Sequence, residues 1–167
     1  IRQAAQDLGQ TAGPDDIYLA LRGLRTMSVR LRQHEKAAIE VATWLEAHAD
    51  VERVLPPALP SHPGHELWKR DFLGSCGLFA VVLKPQPKAA GTAFIDALQY
   101  FGLGVSWGGF ESLITHETPQ LSMRAHPPRL EGPLLRLQIG LEDPADLIAD
   151  LDRGLAAWSD ALRPRPD

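Results

Sequence analysis

The run Leu78 to Leu83, bounded by Gly77 and Pro85, contains no polar side chain, and it constrains this chain more than any other segment. A strand that is apolar on both faces has no side to turn to water, so it belongs in the middle of a sheet covered above and below. Leu134 to Leu141 is a strand of another kind. Its Leu135, Leu137, Ile139 and Leu141 face one way, and Leu134, Arg136, Gln138 and Gly140 face the other. That alternation is the pattern of a sheet with one buried face. Val51 to Leu55 reads as a further short strand.

Helical segments separate these strands. Ile1, Ala4, Ala5 and Leu8 have helical spacing from the first residue, with neither an initiator methionine nor a basic, apolar export segment, so we expect the N-terminal part of a larger protein to be missing. Gly13-Pro14-Asp15-Asp16 opens a helix whose buried stripe is Ile17, Leu21 and Leu24, weakened near its end by Gly23. A longer helix follows over 28–48, with Leu31, Ala38, Val41, Ala42 and Leu45 inward and Arg30, Arg32, Glu35 and Lys36 outward; His34, beside Glu35, is expected to be exposed. Pro56 to His65 is a loop and Glu66 to Phe72 a short helix. After a turn at Lys84 to Lys88, Thr92, Phe94, Ile95, Leu98 and Phe101 give another helix, and Pro119 to Pro133 reads as an irregular surface excursion. The last helix has Asp143 as cap, Pro144 at its first position, Asp146 in its first turn, and an apolar stripe of Leu147, Leu151, Leu155 and Trp158. The tail from Arg163 to Asp167 is expected to fray. Together these elements predict an α+β fold, a sheet layered with helices.

Composition narrows the function classes. With 167 residues, 44% hydrophobic and 23% charged, the chain has enough apolar material for one globular core. A net charge of -4 and scattered arginines argue against nucleic acid as a partner, and the longest apolar run falls far short of the ~20 residues of a membrane span. The single cysteine, Cys76, excludes an internal disulfide, fits a reducing, cytoplasmic setting, and reads as a small buried packing residue.

The segment Gly104-Val105-Ser106-Trp107-Gly108-Gly109-Phe110-Glu111-Ser112 packs more glycine than a core needs. Two readings are open: a tight bend between strands, or a turn whose backbone approaches a ligand. The spelling G-x-S-x-G also matches a hydrolase nucleophile elbow, but the context does not fit. No long strand precedes it, no helix is promised after it, and no histidine follows Asp143; the one available trio would press Glu117 and His126 close behind Ser106. Glu111 and Ser112 are read as holding the turn's shape. Arg136 likewise has two readings, a solvated arginine on an open sheet face or a planar fork for a carboxylate. His62, His65 and Glu66 imitate a metal cluster, but they lie in a Pro/Gly loop without helical spacing, and no metal site is expected.

Four stretches carry a family resemblance: Leu19 to Thr26 (LALRGLRT), Glu66 to Phe72 (ELWKRDF), the glycine block, and Arg136 to Asp143 (RLQIGLED). In this order they resemble the C-terminal part of the pyridoxal-phosphate-dependent Cys/Met metabolism family, and the Ser106-Trp107 pair is similar to its β-lyase branch. The fold this implies is the small C-terminal domain of an aspartate-aminotransferase-like, fold type I enzyme, mostly an antiparallel sheet layered with helices. Residues 1–24 would be the truncated end of the large cofactor-binding domain and 25–167 the small domain.

The resemblance implies an activity as well. Cystathionine would be cleaved to homocysteine, pyruvate and ammonia, with Arg136 holding the substrate carboxylate and Ser106 and Trp107 helping to seat it. Pyridoxal 5'-phosphate would serve the full-length enzyme, a cytoplasmic homo-oligomer that is a tetramer in the resembled family. The chain departs from the pattern in one respect. Its lysines are Lys36, Lys69, Lys84 and Lys88, and none lies in the Ser/Thr-rich motif that carries the family's Schiff-base lysine. No catalytic or cofactor-binding residue is therefore expected within this chain. A non-catalytic assembly module derived from the same family, and a γ-lyase or γ-synthase, remain alternatives.

Overall fold

Three apolar side chains standing abreast set the floor of the core: Phe79 pairs in register with Leu137, and Leu137 with Ile114. They belong to three neighbouring strands, β2 (Leu78–Leu83), β5 (Leu134–Gln138) and β4 (Leu113–His116). The computed structural model describes residues 1–121 and 123–161, so the tail expected to fray, 163–167, lies outside the described residues. Among the described residues the sheet has five strands in the order β1-β2-β5-β4-β3, with β1 at Val51–Val54 and β3 at Gly102–Leu103. Every pairing is antiparallel except β3 with β4. This agrees with the predicted α+β, mostly antiparallel architecture.

The helices are α1 (Arg2–Asp7), α2 (Pro14–Ala47), α3 (His65–Asp71), α4 (Lys88–Ala97), α5 (Thr118–Leu121) and α6 (Pro144–Asp160). The second half of α2 buries His34, Ala37, Ala38, Val41, Ala42 and Leu45, a stripe at helical spacing that packs on the sheet beside α6. From α6 come Leu147, Leu151, Leu155 and Trp158, and from α4 Ala90 and Phe94, completing the apolar layer on one face of the sheet. Asp143 caps α6 as expected: its Oδ1 accepts the Ala145 N–H at 2.9 Å, with Pro144 at the first position.

Several expectations require correction. The two helices expected around Gly23 are one, α2, because a glycine inside a helix costs only about 1 kcal/mol and breaks no hydrogen bond. The Gly23 carbonyl also accepts from Arg30 Nη2 at 2.8 Å. The stripe read as buried at the start of this helix is exposed: Ile17 56%, Leu21 46%, Leu24 60% and Leu31 42%. His34, expected in solvent, is 3% exposed, and its Nδ1–H donates to the Ile139 carbonyl at 2.7 Å. Cys76, expected to be buried, is exposed. The helix expected to run through Phe101 stops at Ala97, and the strand expected to reach Leu141 stops at Gln138. The run in β2 is covered fully on one side, where Phe79, Val81 and Leu83 are buried; on the other Val82 is buried, while Leu78 and Ala80 are half-buried. None of β3, β4 and α5 was anticipated.

The early end of α4 has a definite cause. Asp150 lies wholly buried on α6, and its carboxylate accepts the N–H groups of Gln99 and Tyr100 at 2.8 Å and of Phe101 at 3.1 Å. Those amides are turned away from helical partners, and the chain is aimed into β3 and the glycine block. Arg153 Nη1 shares the carboxylate and supplies the opposing charge. A second bracket closes the block. The buried Ser112 gives its N–H and its hydroxyl to the two Glu142 oxygens, each at 2.8 Å, and its Oγ accepts from the Gly140 N–H at 2.9 Å.

Gly140 has no room for a side chain, since a Cβ there would fall 2.2 Å from the Phe110 carbonyl oxygen. Gly109 has no such neighbour; its nearest atom would be a Glu111 side-chain oxygen at 3.8 Å. Gly140→Ala is therefore expected to destabilise by about 1–3 kcal/mol, and Gly109→Ala to stay within about 0.5 kcal/mol of the parent chain, by urea denaturation. Asp150→Ala leaves three backbone donors without their acceptor and should cost about 3 kcal/mol. Calorimetry is expected to read that loss as a fall of about 6–12 °C in melting temperature.

Candidate functional site

Alternation along β5 places Leu135 and Leu137 in the helix-covered core and turns Arg136 to the other sheet face. There the register sets Arg136 between Ala80 of β2 and Thr115 of β4. From this position the guanidinium reaches across β4 to the chain leaving β3. Its Nη2 donates to the Val105 carbonyl at 2.9 Å and to the Gly104 carbonyl at 3.4 Å. The solvated-arginine reading therefore fails: the Arg136 side chain is only 25% exposed and is tied to the glycine block.

Glu117 approaches the same guanidinium, with Oε1 3.7 Å from Nε and a side chain 16% exposed. The Thr115 hydroxyl donates to that oxygen. The neighbouring His116 imidazole is held below its ordinary pKa by burial, against the pull of Glu117, so Arg136 is the cation that faces this carboxylate at neutral pH. Glu117, which the hydrolase spelling would have recruited as a triad acid, is thus committed to Thr115 and Arg136 instead. Sequence reasoning did not pick out Thr115 and Glu117 as partners of Arg136. Their i, i+2 spacing at the end of β4, beside Arg136, becomes a signal only once the β4–β5 pairing is known.

Ser106 and Trp107 follow directly on the two carbonyls that hold Arg136, and both are exposed, Trp107 to 63%. Gly108 takes a positive φ of 79°, which places Trp107 at the turn and is the one position in the block that demands glycine for its backbone. Trp107 and Gly108 line a cavity of about 170 Å³ together with Arg30, His34, Cys76 and Gln138. A larger, open concavity of about 620 Å³ lies along the exposed apolar face of α2, around Ile17, Leu21 and Leu24, and has Asp16 as its one charged lining residue. The structure thus ties Arg136 to the backbone just before Ser106 and Trp107. Ser112 holds the block's shape from a buried position, as expected.

What the described residues do not provide is a seat for a lysine-linked cofactor. Lys36, Lys84 and Lys88 are exposed, and Lys69, 55% exposed, pairs with Glu66 at 3.7 Å on the surface of α3. His62 and His65 are occupied by local backbone, the first accepting from the Gly64 N–H and the second pairing with the Pro57 carbonyl, both at 3.0 Å. Among the described residues no three His, Cys, Asp or Glu side chains are grouped to hold a metal ion, and no helix is long and apolar enough to cross a membrane.

Known proteins match this arrangement along nearly its whole length. The cystathionine β-lyase of Escherichia coli is 48% identical over 160 residues, which cover 93% of this chain and 40% of the relative. An L-alanine/L-glutamate racemase of Wolbachia pipientis is 42% identical over 156 residues, 92% of this chain and 39% of the relative. A crystal structure of cystathionine γ-synthase from Xanthomonas oryzae in complex with cystathionine superposes with a TM-score of 0.84 at 41% identity, covering 95% of this chain and 42% of that one. The chain therefore spans about two-fifths of the length of the relatives it matches. The fold described above, a mixed sheet layered with helices, is that of a domain of a fold type I enzyme. The model of the Cys/Met metabolism PLP-dependent enzymes matches residues 1–156, and the chain belongs to that family.

Proposed function

We propose that this chain forms the substrate-carboxylate side of the active site of a pyridoxal-phosphate-dependent carbon–sulfur β-lyase that cleaves cystathionine to homocysteine, pyruvate and ammonia. The observation that carries the reading is the reach of Arg136 from mid-strand to the carbonyls of Gly104 and Val105. A guanidinium held this way has its plane and direction already set, so little freedom is lost when a carboxylate docks. Ser106 and Trp107, exposed beside it, are the residues we assign to seating the rest of the amino acid. Support comes from the E. coli β-lyase and from the γ-synthase crystallised with cystathionine.

The cofactor supplies the electron sink when bound. The residues of this chain do not fit it, and we assign its lysine to the part of the relatives' length that this chain does not span. In this reading residues 1–24 end the larger cofactor-binding domain and 25–167 form the small one, with α2 passing through the boundary as one helix. The complete enzyme is proposed to be a cytoplasmic homo-oligomer. A second reading, chemistry at the γ carbon, is favoured by the γ-synthase likeness, whereas the Ser106-Trp107 pair favours the β-lyase.

In the complete enzyme Arg136→Ala is expected to remove about 2–4 kcal/mol of transition-state stabilisation, a loss of roughly 30- to 1000-fold in kcat/KM for cystathionine. Steady-state kinetics with an unchanged kcat/KM would take Arg136 out of the site. Residues 1–167 alone, incubated with pyridoxal phosphate and then borohydride, are expected to retain no stoichiometric cofactor on any one lysine. Mass spectrometry of the reduced chain reads this directly, and one fully labelled lysine would contradict it.

A further inference from the structure

The Arg136 guanidinium has three nitrogens, and the structure accounts for them unequally. Nη2 is committed to the Gly104 and Val105 carbonyls, and Nε faces Glu117 at 3.7 Å. No hydrogen bond from Nη1 is formed among the described residues. The carboxylate on the Nε side is itself held. Thr115, the cross-strand partner of Arg136, donates its hydroxyl to Glu117 Oε1, and the Glu117 N–H continues the ladder to the Leu134 carbonyl at 2.8 Å. An anion fixed through both its main chain and its side chain is a stationary charge, unlike a flexible surface glutamate.

We propose that Glu117 is a positioning residue for substrate recognition. Anchored by Thr115, it holds the Nε edge of Arg136 so that the Nη1 edge stays turned to the incoming carboxylate of an amino-acid substrate. The geometry divides the guanidinium into a held part and an offered part. The glycine-block carbonyls fix its reach, and Glu117 fixes its rotation about the long axis of the side chain. With Glu117 removed, the carbonyls still hold Nη2, but the plane of the fork can turn and its Nη1 edge no longer points one way. Affinity for the carboxylate then falls, because aligning the fork becomes part of the cost of binding.

This inference rests on the carboxylate-binding role of Arg136, and a double-mutant cycle separates the two. In the complete enzyme with cystathionine as substrate, Glu117→Gln is expected to raise KM about 3- to 30-fold while kcat stays within about two-fold, the pattern of lost uniform binding. Thr115→Val, which keeps the side chain's shape and frees the glutamate, should shift KM in the same direction by a smaller factor and serves if Glu117→Gln folds poorly. Combined with Arg136→Ala, Glu117→Gln should add no further loss, because it acts only through the arginine. A lower KM in Glu117→Gln would show that the glutamate competes with the ligand, and would overturn the proposal. An unchanged KM, or losses that add in the double variant, would overturn it as well while leaving Arg136 in place. A silent Arg136→Ala would instead remove the carboxylate reading, and this inference with it.

Discussion

The wholly buried Asp150 carboxylate is the interaction on which the working part of this molecule depends. A charge out of water is tolerated only where donors surround it, and here three consecutive backbone amides and one guanidinium do so. The arrangement ends α4, turns the chain through Gln99 to Phe101, and delivers it to a β3 strand of only two residues. So short an edge strand cannot hold its own position by ladder bonds. The glycine block is placed by a carboxylate on α6 at one end and by the Ser112–Glu142–Gly140 bracket at the other.

The strand β5 then joins core to site within single residues. Leu135 and Leu137 are fixed by packing under the helices, and Arg136 between them inherits that precision on the opposite face. Its guanidinium crosses one strand and meets the glycine block that Asp150 has put there. A core of side chains in one arrangement is a rigid base, and a binding group gains most from such a base when its own shape is planar and directional.

How much of this could be read from the chain follows from the distance between partners. The apolar run at Leu78, the alternation around Arg136 and the cap at Asp143 depend on neighbours a few residues away, and each was legible. Asp150 depends on amides some fifty positions earlier, and Glu117 on a strand pairing, so neither announced itself. His34 looked polar and local beside Glu35, but the carbonyl it serves is Ile139. Cys76 followed an apolar neighbourhood in sequence and lies on the surface in space. Periodicity along the first half of α2 correctly marked an apolar face, yet periodicity says that a face is apolar and not what lies against it. The family likeness was legible because it is carried by short blocks in a fixed order, which survive even where tertiary partners cannot be guessed.

The length of α2 has a mechanical consequence. At 1.5 Å per residue its 34 residues make a rod of about 51 Å, clamped into the core only from His34 onward. The free half is a lever arm about 30 Å long, so a tilt of 5° at the clamp would carry Pro14 through roughly 2.6 Å. Small repacking beneath Ala37, Val41 and Leu45 would be magnified into a displacement of the apolar surface around Ile17 and Leu24. Stiffness at the clamp, more than contact at the tip, therefore sets how faithfully anything resting on that surface keeps its distance from Arg136.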